Sequence, residues 1–258
     1  MTTHDAIDTY IDGRLVAPSE VHGWQSRRAS AVLKKLTSRV GKLGMTELVP
    51  GVDLSTLDAT DAQAMREVLV TVKLHLGHAG LYAVLKHELA LSERIARIAV
   101  AASRGGSTYS AIRLVAPNCS ASAFGAWFDK LTAVNAEADM IAACPDHYLL
   151  RGLPDGRQEV VETTGGSPTA TRFLVDYATG DQVSIPTNSA YPVQIAGQAV
   201  LDDGLVIGGV RHQFRDVDGA MEAVLTVEFP RVFPSRMVTE HRWHLATEFG
   251  NWIAAFKQ

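Results

Sequence analysis

At 258 residues the chain is long enough for one large domain or two small ones. Its 47% hydrophobic and 20% charged residues suit a globular protein with a substantial core. A net charge of −4 without a basic stripe argues against nucleic-acid binding, which rests on Lys and Arg neutralising phosphates.

The N-terminal MTTHDAIDTYIDGRL has early acidic residues and no apolar segment, so it does not read as a secretory signal. No uninterrupted apolar run approaches the ~20 residues of a membrane span. The expectation is a cytoplasmic protein with neither membrane nor nucleic-acid partners. Cys119 and Cys144 form no CxxC or zinc-knuckle pattern, and each is expected to be a small core residue.

In chain order, WQSRRASAVLKKLTSRVGKLG has apolar positions three to four apart, which predicts a helix ending at Gly44. GVDLSTLDAT is a turn-rich connector, and Thr60 with Gln63 fits a capping box. The run from Asp61 to about Ser103 is periodic as a helix, with a break or bend expected near Gly77 and Gly80. His75, His78 and His87 lie in this run. At ~100° per residue His87 falls half a turn from His78, so the three read as packing or surface histidines. SRGGS closes the block.

The period then changes. STYSAIRLVAP reads as a strand and SASAFGAWFDKL as a short amphipathic helix. Further strands are expected near RQEVVETT, TATRFLVDY, QVSIP, PVQIAGQAV, LVIGGVRHQFR and MEAVLTVEF, with PDG, ATGD, LDDG and DVDG as turns. A last helix from about Arg236 to Phe256 carries Leu245, Phe249, Trp252 and Phe256 as an apolar stripe, suited to lying on a sheet. The order predicts an α+β helix-grip fold, in which an antiparallel sheet wraps the final helix and leaves a cavity between them. Residues 1–105 are expected to form an N-terminal helical region and 106–258 the helix-grip domain. The N-terminal helices are expected to pack on the sheet or to form the interface of a homodimer.

Alternation sorts the polar residues by face. Val210, His212 and Phe214 share one face of their strand, so His212 points to the core or cavity. Glu162 shares a face with Val160. Either that face looks inward, where the carboxylate needs a metal, a proton or an Arg, or Glu162 faces solvent and Val161 points in. In HRWHLATEFG, His244 and Glu248 are four apart and share one helix face, with Cβ atoms ~5–6 Å apart. Such a pair can grip a cation or can be an ordinary surface pair. His241 lies on the same edge, at the border of the apolar stripe.

Four segments, in this order, resemble the diacetylphloroglucinol and phloretin hydrolases. These zinc-dependent enzymes hydrolyse the carbon–carbon bond between an acyl group and a phenolic ring, and have a START/Bet v 1-like helix-grip fold. The segments are FGAWFDKL with ACPDHYLL, then VVETTGG, then HQFRDVDGAMEAVLTVEF, then HLATEFGNW. The resemblance spans roughly residues 107–256. It implies that His147, Glu162, His244 and Glu248 hold Zn2+, which would polarise a carbonyl or phenolate oxygen. It implies that His212 gives or takes a proton or orients the attacking water. The apolar walls would hold an aromatic or polyketide-like small molecule.

The sequence departs from the family at the partners of the phenolic substrate. Asp139 and Val227 stand where the family has tyrosines, and Leu150 where it has an asparagine. These three are the expected substrate-contact positions, with Tyr148, Tyr177 or Tyr191 as possible substitutes. The departure points to a different substrate or reaction. The competing readings are a non-catalytic binder of hydrophobic ligands and a metal-free cyclase or dehydratase that uses His212.

Overall fold

The computed structural model describes residues 6–52, 54, 57–58 and 61–258. A short hairpin, β1 (Asp8–Ile11) and β2 (Arg14–Val16), precedes α1 (Pro18–Val40), α2 (Lys42–Leu48) and α3 (Ala62–Ser103). Then follow β3 (Ser107–Pro117), α4 (Ala121–Ala133), α5 (Glu137–Ala142), β4 (His147–Gly152), β5 (Gln158–Glu162), β6 (Thr171–Asp176), β7 (Val193–Val200), β8 (Val206–Val217), β9 (Ala220–Pro230) and α6 (Ser235–Phe256).

The nine strands form one antiparallel sheet in the order β2-β1-β3-β9-β8-β7-β6-β5-β4. Helix α6 lies on it. Leu245, Phe249, Trp252 and Ile253 are buried against Ile112, Leu114, Phe214, Met221 and Leu225 of β3, β8 and β9. This is an α+β helix-grip fold, and the apolar stripe of α6 seats the helix in it.

A second core joins α1, α2 and α3 through Leu36, Met45, Leu69, Val72 and Leu85 to Tyr148, Leu149 and Val161 of β4 and β5. Strands β4 and β5 are therefore covered on both faces, and all five residues of β5 are buried. That is why HYLLRG shows no alternation and gives no strand signal in the sequence.

Several elements differ from the sequence reading. The region read as helical contains the β1–β2 hairpin, turned by Asp12 and Gly13 at positive φ of 53° and 75°. Strand β1 pairs with β3, so the sheet takes strands from both sides of residue 105. QVSIP is not a strand. Residues 183–186 are irregular and lie over β8, where Arg211 Nε donates to the Ile185 carbonyl at 2.8 Å. Thr60 lies outside the described residues. The N-terminus of α3 is capped by Asp61, whose carboxylate accepts from the Gln63 and Ala64 N–H groups at 3.1 and 2.9 Å.

Helix α3 breaks at Gly77 (φ 61°, ψ 178°), where the glycine-rich stretch predicts it. By length and composition alone α3 is apolar enough to cross a membrane. In this fold it packs against α1 and against β4, β6, β8 and β9.

Candidate metal centre

His147 opens β4 and Glu162 closes β5, and the two are register partners across the ladder. Helix α6 brings His244 and Glu248 to the same point. His147 Nε2 lies 3.1 Å from His244 Nε2, 3.4 Å from Glu248 Oε1 and 3.8 Å from Glu162 Oε2. His244 Nε2 lies 3.8 Å from Glu162 Oε2 and 3.9 Å from Glu248 Oε2. The imidazoles are 0% and 1% exposed, so His244 and Glu248 are not a surface pair. Glu162 points inward with Val160, while Val161 points into the second core. Both faces of β5 are thus interior, which the sequence treats as alternatives.

A tight glycine turn keeps Glu162 at α6. Gly165 has φ 53°, and a Cβ there would stand 2.2 Å from the Met237 carbonyl oxygen of α6. No side chain fits, so the turn after β5 rests directly on the first turns of the helix.

Burial sets the protonation of the group. It pushes His147 down to about 3, and pushes His244 well below the usual imidazole range with help from His147. It raises Glu162 to about 7 and Glu248 well above the usual carboxylate range, the latter also through its neighbour Glu162. Near neutral pH the imidazoles are neutral, Glu248 keeps its proton and Glu162 is partly protonated. The His147 Nδ1–H faces the Met140 carbonyl at 3.3 Å, which leaves the Nε2 lone pair aimed into the cluster. Thr164 Oγ1 donates to Glu162 Oε1 at 3.1 Å.

Two neutral imidazoles and two carboxyl groups, all desolvated and within 4 Å of a shared imidazole nitrogen, fit a first-row divalent ion. A second donor set uses the same histidines. The ligand atoms of Cys144, His147 and His244 all lie within 4.8 Å of one another.

The turn carrying His147 is held from behind by buried charge. Arg28 of α1 makes a bidentate pair with Asp146, at 2.9 Å from Nε to Oδ2 and 2.8 Å from Nη2 to Oδ1. Lys73 of α3, 1% exposed, donates to the Pro145 carbonyl at 2.8 Å. Burial lowers its ammonium to about 8. Asn251 of α6 donates to the Ala143 carbonyl at 2.8 Å. The N-terminal helices thus position the centre. Sequence patterning cannot reveal this, because half-buried Arg28 and buried Lys73 look like solvated helix charges.

The centre opens into a cavity of about 630 Å³ between α6, the sheet and the C-terminal half of α3. Glu162, His244 and Glu248 lie in one wall, with Phe128, Phe173 and Trp252 among the apolar residues around them. His212 also faces the cavity, as alternation predicts. It packs edge-on to Phe249 at 4.7 Å, and its buried Nδ1 has no hydrogen-bond partner among the described residues. Burial holds it neutral, at about 3. His241 stacks on His244 with ring centres 5.1 Å apart, and its Nδ1 lies 3.1 Å from Ser110 Oγ.

Leu150 and Val227 line the cavity; Asp139 does not. Asp139 is on the solvent face of α5, because Met140 and Ile141 are the residues that helix buries. Of the three candidate tyrosines only Tyr177 reaches the cavity, where its hydroxyl donates to Gln158 Oε1 at 2.7 Å. Tyr148 is buried in the second core, and Tyr191 donates to Glu222 at 2.6 Å. His78 pairs with Glu137 at 2.9 Å and His75 Nδ1 with the Leu48 carbonyl at 2.5 Å, so these two serve packing.

No protein-family profile matches the chain, and no curated protein matches it. Solved structures similar to it include Ara h 8.0201, with 11% identity over 59% of this chain and 99% of that chain and a TM-score of 0.39. Another is protein Ms6760 from Mycobacterium smegmatis, with 10% identity over 57% of this chain and 88% of that chain and a TM-score of 0.33. Fold and site together define a helix-grip protein with a large, mostly apolar cavity. In its wall is a buried group of donors able to hold a metal ion.

Proposed function

We propose that this protein is a zinc-dependent hydrolase of an acyl–aromatic carbon–carbon bond in a phenolic or polyketide-like small molecule. The convergence of His147, Glu162, His244 and Glu248 at the wall of an apolar cavity carries this reading. The resemblance of four ordered segments to the diacetylphloroglucinol and phloretin hydrolases supports it.

The bound metal would supply Lewis acidity toward a carbonyl or phenolate oxygen. The residues of the chain do the rest. Phe128, Phe249 and Trp252 hold the aromatic ring and keep bulk water out. His212, neutral and with a free Nδ1, takes a proton from water as its oxygen joins the acyl carbon. It then delivers that proton to the ring carbon as the carbon–carbon bond breaks. The products are a carboxylic acid and the deacylated ring.

The test is turnover. Protein purified without a histidine tag and loaded with zinc is expected to release carboxylic acid from acylated di- and trihydroxybenzenes, and to lose this activity in His212→Ala. Bound zinc without turnover of any acyl-phenol would favour a ligand-binding protein. The apolar Leu150 and Val227 at two substrate-facing positions are the feature that suits that second reading.

A pH dependence follows from the carboxyl groups. Glu162 sits at about 7 in the metal-free protein, so metal must displace its proton at any lower pH. Zinc affinity should fall at least about tenfold per unit as pH drops below 7. His147, at about 3, does not compete in that range. Competition with a chelating dye between pH 5.5 and 7.5 reads this slope, and a flat profile would mean that neither carboxyl group is a ligand.

A further inference from the structure

We infer that Cys144 is a ligand of this centre, through a Cys-x-x-His turn that supplies a thiolate on the side away from the cavity. The inference rests on the proposed metal site and adds to it a donor and a division of labour. Residues 144–147, Cys-Pro-Asp-His, form a turn closed by the His147 N–H on the Cys144 carbonyl at 3.1 Å. A closed four-residue turn brings its first and last side chains together. Here it sets the Cys144 sulfur and the imidazole nitrogens of His147 and His244 all within 4.8 Å of one another. Tetrahedral coordination brings sulfur and nitrogen donors to roughly 3.5–4 Å, given metal bonds of ~2.3 and ~2.0 Å. A small closure of the turn reaches that spacing.

Two further observations point the same way. Cys144 is fully buried, and its sulfur accepts the backbone N–H of Asp146. Burial and the nearby Asp146 carboxylate hold the thiol protonated without metal, and the main-chain donor partly offsets thiolate charge once a cation binds. The two donor classes also lie on opposite sides of the histidines. Glu162 and Glu248 line the cavity, whereas Cys144 does not. Cys144 borders instead a small gap beneath α1 and α3, beside Lys73 and Pro145.

A cation between the imidazoles would then have a permanent anchor of Cys144, His147 and His244. Glu162 and Glu248 would be the cavity-side donors, positioned to yield a coordination place to an incoming oxygen ligand. Binding releases the thiol proton to solvent and forms the sulfur–metal bond. Such a set selects borderline and soft ions such as Zn2+ and Co2+ over Mg2+ and Ca2+.

The experiment is cobalt substitution of the full chain, with X-ray absorption on the zinc form. Wild type is expected to show a near-ultraviolet sulfur-to-cobalt charge-transfer band, and a zinc–sulfur shell at about 2.3 Å. Cys144→Ser should abolish the band and weaken cobalt binding at least tenfold. The zinc measurement needs no variant, so a misfolded Cys144→Ser leaves the test intact. Cobalt bound with visible d–d bands but no sulfur charge-transfer band, and zinc bound with only nitrogen and oxygen neighbours, would overturn the Cys144 assignment and leave the four-donor site standing. Failure of wild type to bind either ion would overturn both.

Discussion

His147→Ala and His244→Ala should each lose zinc, with affinity lowered by at least about a hundredfold. The two imidazole nitrogens are 3.1 Å apart and stand at the centre of every donor set in the cluster. Removing either leaves the carboxyl groups with one shared neighbour. Burial raises both carboxyl groups toward their protonated forms, so they are poor ligands without a second fixed donor. His75→Ala is the control, because that ring contacts the Leu48 carbonyl at 2.5 Å and lies outside the cluster. The measurement is metal content by mass spectrometry on tag-free protein, beside dye-competition affinity and circular dichroism to confirm folding. Full zinc in either folded variant would remove the cluster as a metal centre.

Arg28→Ala is expected to cost about 3–5 kcal/mol of stability, because it strands the Asp146 carboxylate in the interior. Asp146 is 0% exposed, and its hydrogen bonds to a side chain come from Arg28. The other cations acting on it, Lys73 and Lys35, are engaged by the Pro145 carbonyl at 2.8 Å and by Glu88 at 2.7 Å. In a chain of this length each kcal/mol moves the melting temperature by roughly 2–4 °C, so a fall of about 10 °C is expected. Replacing both partners with apolar residues, Arg28→Met with Asp146→Leu, should recover much of that loss. The double variant should still bind zinc more weakly than wild type, because the turn before His147 has lost its tether. A single variant within about 1 kcal/mol of wild type in urea unfolding would show that the ion pair does not hold this turn.

Much of the scaffold is readable from short-range spacing. The stripe Leu245, Phe249, Trp252 seats α6, and all three are buried. Alternation in VRHQFR puts His212 on the interior face, and it lines the cavity. The glycines of KLHLGHAGLYAV announce the break in α3, which falls at Gly77. These features depend on periods of 2 and 3.6 residues, and local spacing records them directly.

The sequence by itself therefore determined the strand faces, the amphipathic last helix and the donor types available. Only the tertiary structure decided which donors meet. His147 and His244 are 97 residues apart in the chain, and their contact depends on the β4–β5 register and on how α6 lies over it. Whether Glu162 faced inward turned on packing from α1, α2 and α3, which buries both sides of β5. Cys144 joined the histidines, and Arg28 and Lys73 became supports of the turn, through the same packing. Periodicity encodes the direction of a side chain relative to its own element. Convergence between elements comes from long-range burial and backbone pairing, which leave no period in the chain.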